Sequence, residues 1–259
     1  MRDFGTSTPR IQQFRDALLN TTPTVCTERA VLTTETYKAH EMEQVVLKRG
    51  HMLKNVLENM TIFIEPQTLI VGNQASGNRA APIFPEYAMD WVIRELDEFD
   101  KRSGDVFHIS EENKAVLRDI YPYWKGRTLQ DKGYAAFPDH AKKIYDLGII
   151  RNEGNITSGD AHLAVDYETV LKYGLKHYRE RTEQQLSALN YAEPEQFKQS
   201  FFYRSILMVI DAVETFANRF ANLAEEQAKT TEPTRADELR NIAQICRRMP
   251  MNPAETFHE

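Results

Sequence analysis

The stretch Phe201–Leu223, FFYRSILMVIDAVETFANRFANL, places Phe202, Ile206, Val209, Val213, Phe216, Phe220 and Leu223 at alternating intervals of four and three. Residues at those intervals share one face of an α-helix, so the spacing predicts one long helix running from about Pro194 to Lys229. Such a seam packs within its own molecule or meets a partner helix. Phenylalanine at seam positions, without a sustained charge code beside it, favours packing within one molecule over a coiled coil. A chain organised around this helix is mainly α, with a few short strands.

Working outward, a last helix is expected over Thr234–Met249, capped by Thr234 with Asp237 in its first turn. The closing MNPAETFHE then offers Asn252 as an N-cap, Pro253 at the first helical position and Glu255 near the third. That is a helix-start signal with almost no chain behind it, and it raises the expectation that the natural polypeptide continues past Glu259. Upstream, Thr8-Pro9 starts a first helix carrying Ile11, Phe14 and Leu18. Further helices are predicted over Thr27–Lys38 and Met42–Met60, the latter weakened by Gly50. TIFIEPQTLIVG, residues 61–72, reads as two short β-rich pieces around Glu65-Pro66. GNQASGNRAAPIFPEY reads as a loop packed by Pro82, Phe84 and Pro85. Helices follow over Ala88–Phe99 and after a cap at Ser110, the second leading into the aromatic tract DIYPYWKGR.

Composition excludes several classes. The 259 residues carry 38 acidic and 32 basic side chains, a net charge of −6 without a Lys/Arg stripe, which removes the electrostatic footprint of a nucleic-acid binder. Cys26 and Cys246 lie far apart and outside any metal-ligand spacing, so neither a disulfide framework nor a zinc site is indicated. No apolar run approaches the ~20 residues that a bilayer span needs, and the N-terminus has no signal-peptide pattern. A soluble, cytoplasmic protein is the expectation. No nucleophile elbow, P-loop, HExxH or EF-hand spacing occurs.

One polar loop stands out. GNITSGDAHLAVDY, Gly154–Tyr167, gathers Asn155, Asp160 and His162 ahead of an alternating apolar run that reads as a strand. A histidine at a strand end or cavity mouth can donate a hydrogen bond to a hydroxyl and accept one from it. Judged on spacing alone, a capping or structural histidine is the better reading.

Several long segments, taken together and in this order, carry a resemblance. CTERAVLTTETYK (26–38), LIVGNQASGNRAAPIFPEY (69–87), ELDEFDKRSGDVFHISEENK (95–114), GNITSGDAHLAVDYETVLKYGL (154–175) and the terminal PAETFHE closely resemble the N-terminal part of the pyruvate formate-lyase-like glycyl radical enzymes. The resemblance covers essentially residues 1–259. It implies the N-terminal helical portion of a ten-stranded α/β barrel. It also implies a glycyl radical near the C-terminus of the complete enzyme and a thiyl radical on a mid-barrel cysteine. A separate S-adenosylmethionine/iron–sulfur activating enzyme would install the glycyl radical, and a homodimer is implied for the complete enzyme.

The sequence departs from that pattern by containing neither a Gly-Cys-x-Glu loop nor an Arg-Val-x-Gly-Tyr loop. The chain is therefore expected to be an incomplete domain that binds no cofactor itself and is inactive alone, with no catalytic role for Cys26 or Cys246. The resemblance further implies that His162 faces a small-molecule substrate. Pyruvate formate-lyases carry an arginine at that place, suited to a carboxylate, and glycerol-dehydratase-like members carry a histidine, suited to hydroxyls. Asn155 resembles a second pocket residue, and Asp160 would tune His162 or touch the substrate. The leading expectation is a fragment of a lyase or dehydratase that cleaves a C–O or C–C bond. A formate C-acetyltransferase is the rival within the family, and a stand-alone helical binding protein is the rival outside it.

Overall fold

A computed structural model describes residues 8–150 and 163–259. These residues divide into two compact units, one of residues 8–21, 36–79 and 166–259, the other of 22–35, 80–150 and 163–165.

In the first unit, α1 (Pro9–Asn20) starts where Thr8 accepts the Ile11 N–H and proline occupies the first turn, as the sequence predicts. The helix α2, Glu28–Ala39, has residues 28–35 in the second unit and 36–39 in the first, where α3 spans Val45–Asn59 and α8 spans Tyr167–Ser187. The long helix, α9, covers Pro194–Ala228 and packs against α3, α8 and α10 (Pro233–Arg248).

The buried stripe of α9 differs from the predicted seam. Ser205, Ala212, Ala221, Ala224 and Ala228 are buried, with Ile210 and Phe220, whereas Phe202 is 54% exposed. Small side chains win because the helices approach closely. A Cβ on Gly50 would meet Ser205 Oγ at 2.6 Å, and that hydroxyl donates to the Val46 carbonyl at 2.9 Å. Gly50, which weakens α3 in isolation, is what admits α9. Farther along, Phe220, Ala221 and Ala224 pack with Leu239, Ile242 and Ala243 of α10 in the unit's core. Arg219 ties the open end of α3 by donating to the Leu57 and Met60 carbonyls, both at 2.6 Å. A cation there complements the helix dipole.

Two expectations are corrected in this unit. Helix α10 starts at Pro233, one residue early, because the Glu232 carboxylate accepts the N–H groups of Thr234 and Arg235 at 2.9 and 2.6 Å. Residues 61–72 form no strand. Side chains satisfy their carbonyls instead: Arg235 donates to Thr68 and Glu65 at 2.8 and 3.1 Å, and Asn73 donates to Thr61 at 2.8 Å. The helix-start signal at Asn252 is followed by no helix, as the sequence reading has it. The Asn252 side chain donates back to the Arg248 carbonyl, while the Glu259 carboxylate accepts the Glu255 and Thr256 N–H groups and pairs with Arg248.

The second unit holds the described strands, β1 (Thr24–Cys26) and β2 (Ala80–Pro82), paired in parallel with Val25 opposite Ala81. His108 extends the ladder through a bridge to Thr24. The strands fall where the sequence suggested loop and helix start, because three residues carry too little pattern to read. Among the described residues four helices follow: α4 (Asp90–Glu95), α5 (Glu111–Trp124), α6 (Leu129–Ala135) and α7 (Asp139–Asp146). Ser110 caps α5 as predicted, accepting the Asn113 N–H at 3.1 Å. Trp124, Leu117, Met89, Val92 and Leu96 fill the core. The Trp124 indole donates to Thr34 Oγ1 at 2.8 Å, and that hydroxyl donates to the Ala30 carbonyl at 2.6 Å. The architecture is thus mainly helical with a few short strands, and no barrel is formed among the described residues.

Candidate functional site

The residues that the sequence singles out, His162, Asn155 and Asp160, lie outside the described residues. The chain on the C-terminal side of them is described. Residues 163–166 are irregular where alternation predicted a strand, and α8 begins at Tyr167. The cause is Asp166, whose carboxylate accepts the Thr169 N–H at 3.1 Å and starts the helix. Tyr178 donates its hydroxyl to the same carboxylate at 2.9 Å. Hydrogen bonding from Thr169, and then from Tyr178, holds Asp166 below the usual carboxylate range. The fourth residue after His162 is thereby fixed to the first three turns of α8.

A further feature of α8 was not legible as such in the sequence. At Gly174 the helix is interrupted, with φ +69° and ψ 176°. The C-terminal segment enters the break: the N–H groups of Leu175 and Lys176 donate to the carbonyls of Pro250 and Met251 at 3.0 and 3.1 Å. The Ala254 N–H returns a bond to the Leu171 carbonyl at 3.1 Å. The Met251 carbonyl occupies the space of a Cβ on residue 174. YGL, residues 173–175, gave the only signal, a glycine inside a helical pattern.

Apolar side chains flank residues 151–162 in exposed positions. Leu147 and Ile149 precede them at 74% and 72% exposure, and Leu163 follows at 81%. Val165, Tyr167, Leu171 and Tyr173 are also exposed.

The second unit contains a cavity of about 320 Å³ lined by Val25, Ile83, Phe84, Trp91, Phe99 and Arg102 among others. Its walls are apolar apart from two groups. The Trp91 indole N–H is buried without a hydrogen-bond partner. The Arg102 guanidinium lies over Phe99 at 4.3 Å and pairs with Glu95 at 2.5 Å. Arg29 forms a two-pronged pair with Glu86, at 2.6 and 3.1 Å, and sits over Phe84 at 3.9 Å. The loop read from the sequence as packed by Pro82, Phe84 and Pro85 therefore has Pro85 buried and Pro82 and Phe84 on the cavity wall.

Among the described residues, one group brings metal-ligand atoms together. His40, Glu43 and His51 have donor atoms all within 4.8 Å of one another. Cysteine spacing could not have found it, and a His-x2-Glu-x7-His pattern has no established reading. Cys26 is buried on β1, and burial pushes the Cys246 thiol up, which makes it a poor nucleophile.

Comparison with known proteins places the whole chain in one family. A family model described as pyruvate formate lyase-like matches residues 6–259. The chain belongs to this family of glycyl radical enzymes. It is 42% identical over 254 residues to the probable dehydratase YbiW of Escherichia coli (strain K12), a match covering 97% of this chain and 31% of that protein. It is 33% identical over 260 residues to isethionate sulfite-lyase of Nitratidesulfovibrio vulgaris, covering 96% and 31%. The glycerol-bound B12-independent glycerol dehydratase from Clostridium butyricum superposes with a TM-score of 0.94 at 34% identity, covering 98% of this chain and 33% of that one. The chain thus spans about a third of the length of the relatives it matches. No described helix is long and apolar enough to cross a membrane.

Proposed function

We propose that this chain is the N-terminal part of a glycyl radical dehydratase or lyase acting on a small hydroxylated substrate. The observation that carries the reading is the match, along nearly the whole chain, to proteins named as dehydratases and a sulfite-lyase, each about three times as long. The exposed apolar residues on both sides of residues 151–162 support it, since large apolar groups left in water are the mark of a surface meant to be covered. The remainder of the protein would supply the ten-stranded barrel, the reactive cysteine and the glycyl radical, and the present chain would be inactive alone. A separate S-adenosylmethionine-dependent activating enzyme would generate the radical, and the complete enzyme would be a cytoplasmic homodimer.

Within this reading His162 contributes substrate recognition. A neutral imidazole can donate to one hydroxyl and accept from another, whereas a carboxylate is better met by a guanidinium. Asp160 adds an acceptor and Asn155 an amide that both donates and accepts. The test begins by reading the source DNA onward through the codon for Glu259, then preparing the complete protein with its activating enzyme under anaerobic conditions. Diols and hydroxylated sulfonates are offered beside pyruvate with coenzyme A. Turnover of a hydroxylated substrate, weakened by His162→Ala, is expected. Turnover of pyruvate alone would replace the reading with a formate C-acetyltransferase. A stop codon after Glu259, with a cooperative melt and no binding of hydrophobic dye, would replace it with a helical binding protein.

A further inference from the structure

The turn between α2 and α3 carries His40 and Glu43, and α3 carries His51. Both carboxylate oxygens of Glu43 are engaged by imidazole nitrogens: Oε1 lies 2.9 Å from His40 Nδ1, and Oε2 lies 3.4 Å from His51 Nε2. The two rings stack at 3.9 Å with an interplanar angle of 11°. The backbone beneath them is fixed, since the His40 N–H donates to the Thr36 carbonyl at 3.0 Å and the Glu43 N–H to the His40 carbonyl at 3.1 Å. Lys48 draws the turn onto α3 by donating to the Glu41 carbonyl at 2.9 Å.

Zinc-class ions bind imidazole nitrogen at ~2.0–2.1 Å and carboxylate oxygen at ~2.0–2.2 Å, so donors around one ion stand ~3.0–3.4 Å apart. In this structure each Glu43 oxygen has an imidazole nitrogen near that distance, His40 Nδ1 at 2.9 Å from Oε1 and His51 Nε2 at 3.4 Å from Oε2, and one ligand atom from each of the three residues lies within 4.8 Å of the other two. The remaining gap closes around an ion when one imidazole rotates out of the stack. With side chains 29% and 39% exposed, the group is open to solvent for that rotation and for the ion's entry. Imidazole with carboxylate suits zinc, cobalt and nickel rather than calcium or magnesium, which prefer all-oxygen shells.

We propose that His40, Glu43 and His51 bind one divalent transition-metal ion of the zinc class, which clips the α2–α3 turn to α3. The nitrogens that face the carboxylate, His40 Nδ1 and His51 Nε2, become the ligands. Each ring then carries its proton on the opposite, outward nitrogen, so the tautomer changes without net proton loss from a neutral ring. Water fills the remaining positions on the ion.

The test uses the untagged chain and cobalt(II) alone as probe, read by its visible absorption and by equilibrium dialysis with metal analysis, with zinc(II) as competitor. One equivalent of cobalt should bind, zinc should displace it, and the melting temperature should rise with the ion present. Loss of an outer-shell partner already costs metal sites about 10–100-fold in affinity, so His51→Ala or Glu43→Gln should weaken binding at least about tenfold. His40→Ala/His51→Ala together should abolish it. Cobalt binding that is unchanged in the double variant, or no binding at millimolar cobalt by a chain that melts cooperatively, overturns the proposal.

Discussion

The carbonyl oxygen of Met251 stands where the side chain of residue 174 would begin, and Gly174 is the residue whose φ of +69° opens α8 to receive it. A non-glycine residue meets two penalties there, a backbone region essentially reserved for glycine and a collision with backbone that cannot swing away. Gly174→Ala should therefore destabilise the chain by at least about 2 kcal/mol. Urea denaturation followed by circular dichroism measures it, and a loss below about 0.5 kcal/mol, the range of an ordinary surface change, would mean that the terminal segment does not occupy the break.

Gly50 poses the opposite balance. Alanine is about 1 kcal/mol better than glycine within a helix, yet its Cβ would press on Ser205 Oγ. Gly50→Ala should be neutral or destabilising by about 1–2 kcal/mol, because overpacking opposes propensity. Ser205→Ala should relieve it, so the double variant is more stable than the sum of the single changes. Strict additivity in that double-mutant cycle would mean that α3 and α9 are not in contact at these residues.

The Arg29–Glu86 pair should behave as a buried one. The side chains are 14% and 8% exposed. Glu86→Ala leaves the guanidinium desolvated and should cost about 3 kcal/mol. In contrast, the Lys172–Glu168 pair is 58% and 76% exposed, and Lys172→Ala should change stability by no more than about 0.5 kcal/mol. Parallel chemical denaturation of the two variants decides it, and equal effects would contradict the difference in burial.

Asp166 should contribute to acid sensitivity. Its pKa is lowered in the folded chain by hydrogen bonds from Thr169 and Tyr178. A lowered carboxylate stabilises the fold fully above its unfolded pKa of about 3.9, and that contribution is lost as pH falls through the lowered folded value. The start of α8 should thus loosen at the acid end of a titration monitored by circular dichroism. Asp166→Asn keeps a capping side chain without the charge and should flatten that part of the profile. An unaltered profile would remove Asp166 from the account.

Helix periodicity made much of this fold legible. α1, α2, α5 and α9 appear where apolar spacing and the caps at Thr8 and Ser110 put them, because those signals are local. What failed depends on partners distant in sequence. Residues 61–72 look like strands until Arg235 and Asn73 satisfy their carbonyls, and the seam of α9 looks like Phe202 and Val209 until Gly50 brings a backbone against Ser205. His162, Asn155 and Asp160 were singled out chiefly through family resemblance, since a polar loop has no period to announce what its side chains face, and they lie outside the described residues. The His40–Glu43–His51 group went unread because its ligands straddle a turn and a helix.

The Gly174 break also sets an order of events. Ribosomal synthesis delivers α8 well before residues 250–254, so the nascent helix emerges with the Leu175 and Lys176 amides still waiting for acceptors that have not been made. Two halves of a helix joined by glycine are the expected early species, and water must serve those amides meanwhile. Only when α9 and α10 have folded back can the returning segment dock, so α8 is synthesised before both of them and becomes rigid after them.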